Sequence, residues 1–402
     1  MRILFLHDNF PAQFGVFGQY LSSKGWEVWF GTQRDGASSK EMKVFNYAPH
    51  REVTEKVHPY VGGFEKAVLN GQAVARMGLK LKEKGFYPDI VMAHSGWGPG
   101  LFVKDVWPKA KYVGYFEWYY SSDAPDLMFL GGGDRGMDDE LRTRIRNSAI
   151  QSDLVSCDFA LCPTQFQKAQ FPECFQHKIK VMHDGIDTDT YKPSPSAKLV
   201  LPDLDLSHVD EIITYATRGM EPYRGFPQFM KALENVLAAR PNAHVVIVGD
   251  DRVAYGKKLE KGDSYKARAL KECDLDWDRV HFTGLLPRPD YLKVLQASSV
   301  HAYFTIPFVL SWSMMESMSV GCTIVTSDVE PVSEMAGDKA PTLRQVDHRR
   351  PEEIANAIIA LLEDRDAAQA LGAAARQFIV DGYSKKEIFP QKEAWLMSGA
   401  LV

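Results

Sequence analysis

The segment TYATRGMEPYRGF, residues 214–226, places two arginines six residues apart, Arg218 and Arg224, each followed by a glycine. The residues before them are mostly apolar or β-branched, the pattern of a buried strand. Guanidinium groups at a strand's carboxyl end, beside the start of a helix, suit a diphosphate. Their planar forks match phosphate oxygens, and the helix terminus adds partial positive charge. Each such charge-assisted contact contributes roughly 1.5–3 kcal/mol. The competing reading is a pair of solvated surface arginines.

A second candidate lies in FTIPFVLSWSMMESMSVGCTIVTSD, residues 304–328, where one acid, Glu316, interrupts a largely apolar run. Ser311 or Ser313 suits the N-cap of a helix here, which puts Glu316 in the first turn or just beyond. An acid there is favoured by the helix dipole alone. It could also accept hydrogen bonds from two adjacent hydroxyls, as ribose presents. Met314, Met315 and Met318 read as core. His94 ends a strand in PDIVMAHSGWG, and Glu117 ends another in AKYVGYFEWYY. His7 and Asp8 follow the first strand. Asp-x-Asp triplets at 187–189, 203–205 and 274–276 read as turn chemistry rather than metal ligands, and no metal site is expected.

These residues need a frame that brings strand ends together. RILFLH, residues 2–7, then DNFPAQFG, VFGQYLSSKG and WEVWFGT read as strand, loop, helix and strand, a parallel unit. The alternation continues to KIKVMHDGIDTDTYKP. Pro and Ser then cluster, and residues 191–210 read as a linker. The rhythm restarts with EIITYATRG and runs through HVVIVGDD, RVHFTGLLP and CTIVTSD to helices near 352–363 and 366–379. The boundaries expected are 1–190, a linker at 191–210, and 211–384. A final amphipathic helix near 385–402 is expected to return to the first domain. Ligands of open parallel sheets bind beyond the carboxyl ends of strands.

A chain of 402 residues exceeds the roughly 250–300 that one core sustains, which agrees with two domains. A net charge of −5 argues against a nucleic-acid partner. No apolar run reaches the roughly 18 residues of a membrane span, and the start is too quickly polar for a signal peptide. The five cysteines, at 157, 162, 174, 273 and 322, form no C-x-x-C pair. They read as reduced thiols in a cytoplasmic protein.

Taken in order, FPAQFG, PDIVMAH, KIKVMHDGIDTDTYKP, the arginine pair, HVVIVGDD, VHFTGLLP and the Glu316 helix with SMSVGCTIVTSD resemble a family 4 glycosyltransferase. The resemblance covers nearly the whole chain. Within the family it is similar to a subgroup whose helix is introduced by Pro-Phe-Val-Leu-Ser-Trp-Ser. It implies the GT-B fold, an α/β architecture of two Rossmann-like parallel-sheet domains facing across a cleft. It implies metal-independent, retaining transfer of a sugar from a UDP- or GDP-sugar to a hydroxyl, in polysaccharide or glycolipid synthesis. The nucleotide sugar is a co-substrate, and no cofactor is expected.

The resemblance also implies roles. Arg218 and Arg224 (the second is usually Lys in the family) hold the donor diphosphate, and Glu316 binds its ribose. Gly15 sits where the family's Gly-rich loop approaches the phosphates. Gly249, Asp250, Leu286 and Arg288 lie where the base rests. The family usually keeps another Glu eight residues before Glu316. Here Phe308 stands in that place, so backbone groups of Val309, Leu310 and Ser311 are expected to take over recognition of the sugar. His94 is expected near the donor or acceptor. Glu117 replaces a residue that is often His, and either orients an acceptor hydroxyl or pairs with Arg142 or Arg144. Catalysis then rests on positioning and leaving-group stabilisation, with closure about residues 190–200.

Two other readings are a nucleotide-sugar epimerase and a non-catalytic sugar-nucleotide-binding subunit. A dinucleotide dehydrogenase is disfavoured, since no G-x-G-x-x-G follows the first strand. The acceptor expected is a saccharide or a lipid-linked saccharide. FEWYYSSDAPDLMFLGGG, residues 116–133, could be an acceptor loop, a peripheral contact with the inner membrane face, or packing.

Overall fold

The computed structural model describes residues 1–131, 136–256, 258–337 and 341–398. The last two residues of the 116–133 segment, and residues 399–402 of the expected final helix, lie outside them. The chain divides into two compact units. One runs from Met1 to Asp184 and resumes at Lys386; the other spans Gly185–Lys385.

The first unit is a seven-stranded sheet of β1 (Arg2–Leu6), β2 (Glu27–Thr32), β3 (Lys43–Asn46), β4 (Ile90–His94), β5 (Lys111–Tyr115), β6 (Phe159–Cys162) and β7 (Ile179–Val181). Its order is β3-β2-β1-β4-β5-β6-β7, and every pairing is parallel. Strands buried on both faces read as continuous apolar runs, as RILFL and IVMAH do. The order reverses between β1 and β4, so the chain leaving β1 (His7, Asp8) and the end of β4 (His94) meet at the switch point, where such sheets take ligands.

The helix α1 (Gly15–Ser23) lays Phe17 and Leu21 against one face, and Phe5, Phe14 and Phe30 complete an aromatic core. The helix α2 (Gly62–Glu83), not anticipated from the sequence, packs Ala73 and Val74 into the core on the opposite face.

The second unit has a six-stranded parallel sheet, ordered β12-β11-β10-β13-β14-β15. Two short antiparallel strands, β8 (Val200–Leu201) and β9 (Leu204–Asp205), come first. Then follow β10 (Ile212–Gly219), β11 (His244–Asp250), β12 (Val280–Gly284), β13 (Val300–Tyr303), β14 (Ile324–Ser327) and β15 (Arg344–Val346). The order reverses between β10 and β13. β10 therefore delivers Arg218, and β13 delivers the 304–311 loop, to one switch point.

The helix α3 (Phe226–Ala239) buries Phe226, Phe229, Met230, Leu233, Val236 and Leu237 at helical spacing. The stretch read as a linker is partly packed structure. Leu199, Leu201 and Leu206 are buried with Ile212, Val246 and Val248 of this sheet. A Pro-Asp turn between short apolar runs conceals a hairpin when only Pro and Ser are weighed. The helix α4 (Trp312–Val320) follows the 304–311 loop.

The final helix, α5 (Lys385–Ser398), gives Ile388, Phe389, Trp395 and Leu396 to the core of the first unit. Its Lys392 is buried 3.5 Å from the buried Asp184, which also accepts from the Tyr115 hydroxyl at 2.7 Å. Burial holds the Lys392 ammonium below its usual range.

Candidate functional site

Arg224 is the best-defined group in the second unit. It is only 8% exposed, so the reading of two solvated surface arginines fails for this one. Its Nη1 donates to the Thr305 hydroxyl at 2.8 Å and to the Tyr303 hydroxyl at 3.4 Å, and the guanidinium lies 5.2 Å from the Tyr255 ring centroid. Among the described residues no carboxylate pairs with it. A guanidinium out of water without a counter-charge is costly.

Glu221, fully buried nearby, does not supply that counter-charge as an ion pair. Its Oε2 accepts from the Tyr255 amide at 2.7 Å, while Oε1 is buried without a hydrogen-bond partner. Burial pushes its carboxyl up to about 7, against the opposing pull of the Tyr255 amide and of Arg224.

Tyr303 links this cation to the loop before α4. The hydroxyl that accepts from Arg224 also accepts from the Ser311 amide, at 3.0 Å. The Ser311 side chain caps α4 by accepting from the Ser313 amide at 3.3 Å. The Ser311 amide is therefore engaged within the chain, which corrects the expectation that it faces a sugar. The amides of Val309 and Leu310 have no partner among the described residues. Phe308 packs edge-on against Tyr223 (5.7 Å, 87°) and Tyr255 (5.4 Å, 65°).

Glu316 lies beyond the first turn of α4, which holds no acid, so tuning of the helix start does not account for it. Burial raises its carboxyl above the usual range, opposed by the nearby Tyr191 hydroxyl, the charge of Arg288 and the nearby Tyr291 hydroxyl. Met314, Met315 and Met318 are fully buried core, as expected.

The remaining donor candidates are less tightly assembled. Arg218 is exposed at the β10 end, and its side chain makes no bond among the described residues. A Cβ on Gly249 would stand 2.4 Å from the Thr217 carbonyl oxygen, so glycine is needed there for packing between neighbouring strands. Asp250 lies 3.5 Å from Arg252. Leu286 is half-buried, and Arg288 is exposed at the start of its helix. Gly15 likewise has a structural reason: a Cβ would stand 2.3 Å from that of Pro11, and its amide donates to the Pro11 carbonyl at 2.8 Å. That amide is not open to a phosphate. Asp187, Asp205 and Asp276 each accept a backbone N–H two or three residues on, the turn chemistry expected of the triplets.

In the first unit the structure brings His94 and Glu117 together. His94 Nε2 lies 3.1 Å from Glu117 Oε2, and His94 Nδ1 lies 2.9 Å from the Ser95 carbonyl. Both partners only accept, so a ring with N–H on both nitrogens satisfies the two contacts at once. Gln13 donates to Glu117 Oε1 at 2.9 Å, and Gln167 donates to the Glu117 carbonyl at 2.8 Å. Arg142 is not the partner of Glu117; it pairs with Asp138. Burial raises the Glu117 carboxyl, but hydrogen bonds and charge from His94, with Gln13, bring it below its usual range.

His7 stands 4.9 Å from His94, ring to ring, and accepts from the Asn9 amide on Nδ1. Burial above all, then the charge of His94, lowers it to about 3. Asp8 accepts from the Tyr47 hydroxyl at 2.8 Å, and burial raises its carboxyl.

Glu221, Tyr255, Tyr303, Thr305 and Gln13 went unnoticed in the sequence. Only Glu221 carried a signal, as an acid between the two arginines. The others act through contacts with residues distant in sequence.

Among the described residues of the second unit, a buried cation without a carboxylate partner is joined through Tyr303 to a loop with two unpartnered amides, an arrangement suited to an anion. The profile described as "Glycosyl transferase family 4 group" matches residues 24–191, and that described as "Glycosyl transferases group 1" matches residues 204–378. The chain belongs to the family 4, group 1 glycosyltransferases, with the GT-B fold.

Among solved structures it is similar to Anabaena HepE in complex with UDP and glucose, at a TM-score of 0.70 and 17% identity, over 99% of this chain and 100% of that one. It is also similar to sucrose-phosphate synthase from Thermosynechococcus elongatus, at 0.71 and 16%, over 99% and 98%. A curated relative from Mycobacterium tuberculosis is a GDP-mannose-dependent alpha-(1-6)-phosphatidylinositol monomannoside mannosyltransferase. It is 25% identical over 247 residues, 59% of this chain. The match spans 60% of that relative's length.

Proposed function

We propose that this chain transfers a hexosyl group, with retention, from a nucleoside diphosphate sugar to a hydroxyl of a saccharide or lipid-linked saccharide. The observation that carries the reading is Arg224, a buried guanidinium with no carboxylate partner among the described residues, joined through Tyr303 to the loop bearing the unpartnered Val309 and Leu310 amides. That constellation suits a diphosphate. Its charge grows as the sugar–oxygen bond breaks, and fixed donors stabilise it without reorganising. Arg218, exposed at the same strand end, closes on the diphosphate from solvent. Glu316 accepts from the ribose, near Arg288 on the base side. No divalent metal is assigned a role.

In the first unit, His94 and Glu117 orient the acceptor hydroxyl. The Pro-Phe-Val-Leu-Ser-Trp-Ser loop marks a subgroup in which backbone amides and the Phe308 ring replace an acidic contact to the donor sugar. The mycobacterial relative uses GDP-mannose, and HepE was captured with UDP and with UDP-glucose, so UDP- and GDP-hexoses are the donors to test first. Among the described residues no helix is long and apolar enough to cross a membrane. A cytoplasmic enzyme acting at the inner membrane face fits a lipid-linked acceptor.

The test is a panel of UDP-, GDP- and dTDP-hexoses, scored for thermal stabilisation and for nucleoside diphosphate release with acceptor mixtures and chelator. Stabilisation and release by one nucleotide class is expected. No response across the panel, or a new sugar nucleotide formed without acceptor, would contradict the reading.

A further inference from the structure

Trp97 has no part in the chemistry described so far, yet the fold displays it with care. It is 42% exposed, although it sits directly after the buried end of β4. The two residues flanking it are Gly96 and Gly98, with φ of +95° and +100°, a region that favours glycine. A Cβ on Gly98 would stand 1.9 Å from the Ala67 carbonyl oxygen, so this loop is pressed onto α2. Asn70 of α2 donates to the Trp97 carbonyl at 2.9 Å. The indole is held from below as well. It stacks on His94 at 4.2 Å with 7° between planes, and the His7 ring meets it at 5.1 Å and 81°.

Stacking on His94 and the near-perpendicular contact with His7 still leave part of the indole open to solvent. A single exposed aromatic is ordinary on a protein surface; what sets this one apart is that two glycines of positive φ and the Asn70 contact fix it just beyond the end of β4. The neighbours narrow the occupant. His94 carries Glu117 at 3.1 Å, so polar groups lie beside the plane. An apolar plane beside charged hydrogen-bonding groups matches a pyranose, which is apolar across its C–H face and polar around its rim.

We infer that Trp97 is the stacking platform for the acceptor, and that the acceptor presents a pyranose ring beside the His94–Glu117 pair. This rests on the transferase reading for its place in the reaction, but the binding can be measured without turnover.

The probes are the methyl α- and β-glycosides of glucose, mannose and galactose, with uridine and glycerol as comparisons. Saturation-transfer NMR on the full chain reads which ring protons contact the protein. At least one glycoside is expected to receive saturation on its C–H face. Trp97→Leu should weaken that binding about tenfold, the scale of a lost aromatic contact, and Trp97→Phe should retain most of it. With donor turnover in hand, Trp97→Leu should raise the acceptor KM more than it lowers kcat.

The inference would be overturned by no glycoside binding, by equal binding in the Leu variant, or by displacement of the glycoside by uridine. A fall in kcat at unchanged acceptor KM would also overturn it, showing Trp97 to be a prop for His94. If no sugar nucleotide is turned over but Trp97-dependent glycoside binding persists, the transferase reading fails and the platform stands.

Discussion

The two units handle buried charge in opposite ways. In the second, a guanidinium is buried with hydroxyls and an aromatic ring around it, and no carboxylate among the described residues pairs with it. In the first, the carboxylate is answered from within: Glu117 has His94 on one oxygen and Gln13 on the other. An unpaired buried cation costs folding free energy, and a ligand that brings the missing charge recovers it on binding. A satisfied pair costs less and draws in no counter-ion; what it does is fix geometry. The difference suits the second unit to draw in an anion and the first to hold its groups in a fixed geometry.

The largest effect should come from Arg224. On the proposed function, replacing it with Ala removes the cation that meets the leaving diphosphate, and should cut transfer roughly hundred- to thousandfold. Because the cation is unpaired, the variant should melt close to wild type. Arg218→Ala, at an exposed and screened position, should cost less. A collapse in stability with Arg224→Ala would mean that this arginine is structural and would erase the contrast between the units.

Glu117→Gln sharpens the other side. It keeps the shape but removes the charge that fixes His94, and should lower turnover roughly ten- to thirtyfold, for about 1.4–2 kcal/mol of lost positioning. Donor affinity, read by titration with UDP or GDP, should hardly move. An equal loss of donor affinity would show that the first unit also grips the donor.

Smallest is a pH effect. Burial pushes Glu221 from its usual 4.5 up to about 7, so the folded chain keeps a proton that the unfolded chain releases first. Stability associated with this group is complete below the unfolded value and falls as pH rises through the folded one. Asp153, pushed up to about 6, acts in the same direction. Glu221→Gln should therefore make the decline in denaturant midpoint shallower without abolishing it. An unchanged slope would show that Glu221 does not carry the proton.

Much of the frame could be read directly. Continuous apolar runs such as RILFL and IVMAH mark strands because parallel sheets bury both faces, and Arg218, Arg224 and Glu316 stood out as charges beside such runs. What escaped depended on distant partners. Arg224 is buried because Tyr303 and Thr305 arrive from β13 and the loop after it, some eighty positions later. His94 and Glu117 meet because β4 and β5 are neighbours in register, with His94 opposite Tyr115. The linker reading missed a hairpin because its leucines are spaced around a turn. Gly15 was read for its lack of a Cβ, and that lack matters for its contact with Pro11, a partner the sequence did not point to.

The most direct test of the central claim is isothermal titration of the full chain with UDP, UMP, GDP and GMP, repeated on Arg224→Ala. The account predicts that wild type prefers the diphosphate of the matching base by about tenfold or more, the worth of a charge-assisted contact, and that the variant loses the preference while still binding the monophosphate. A preference that survives in the variant, or is absent from wild type, would contradict the assignment of Arg224 as the diphosphate anchor.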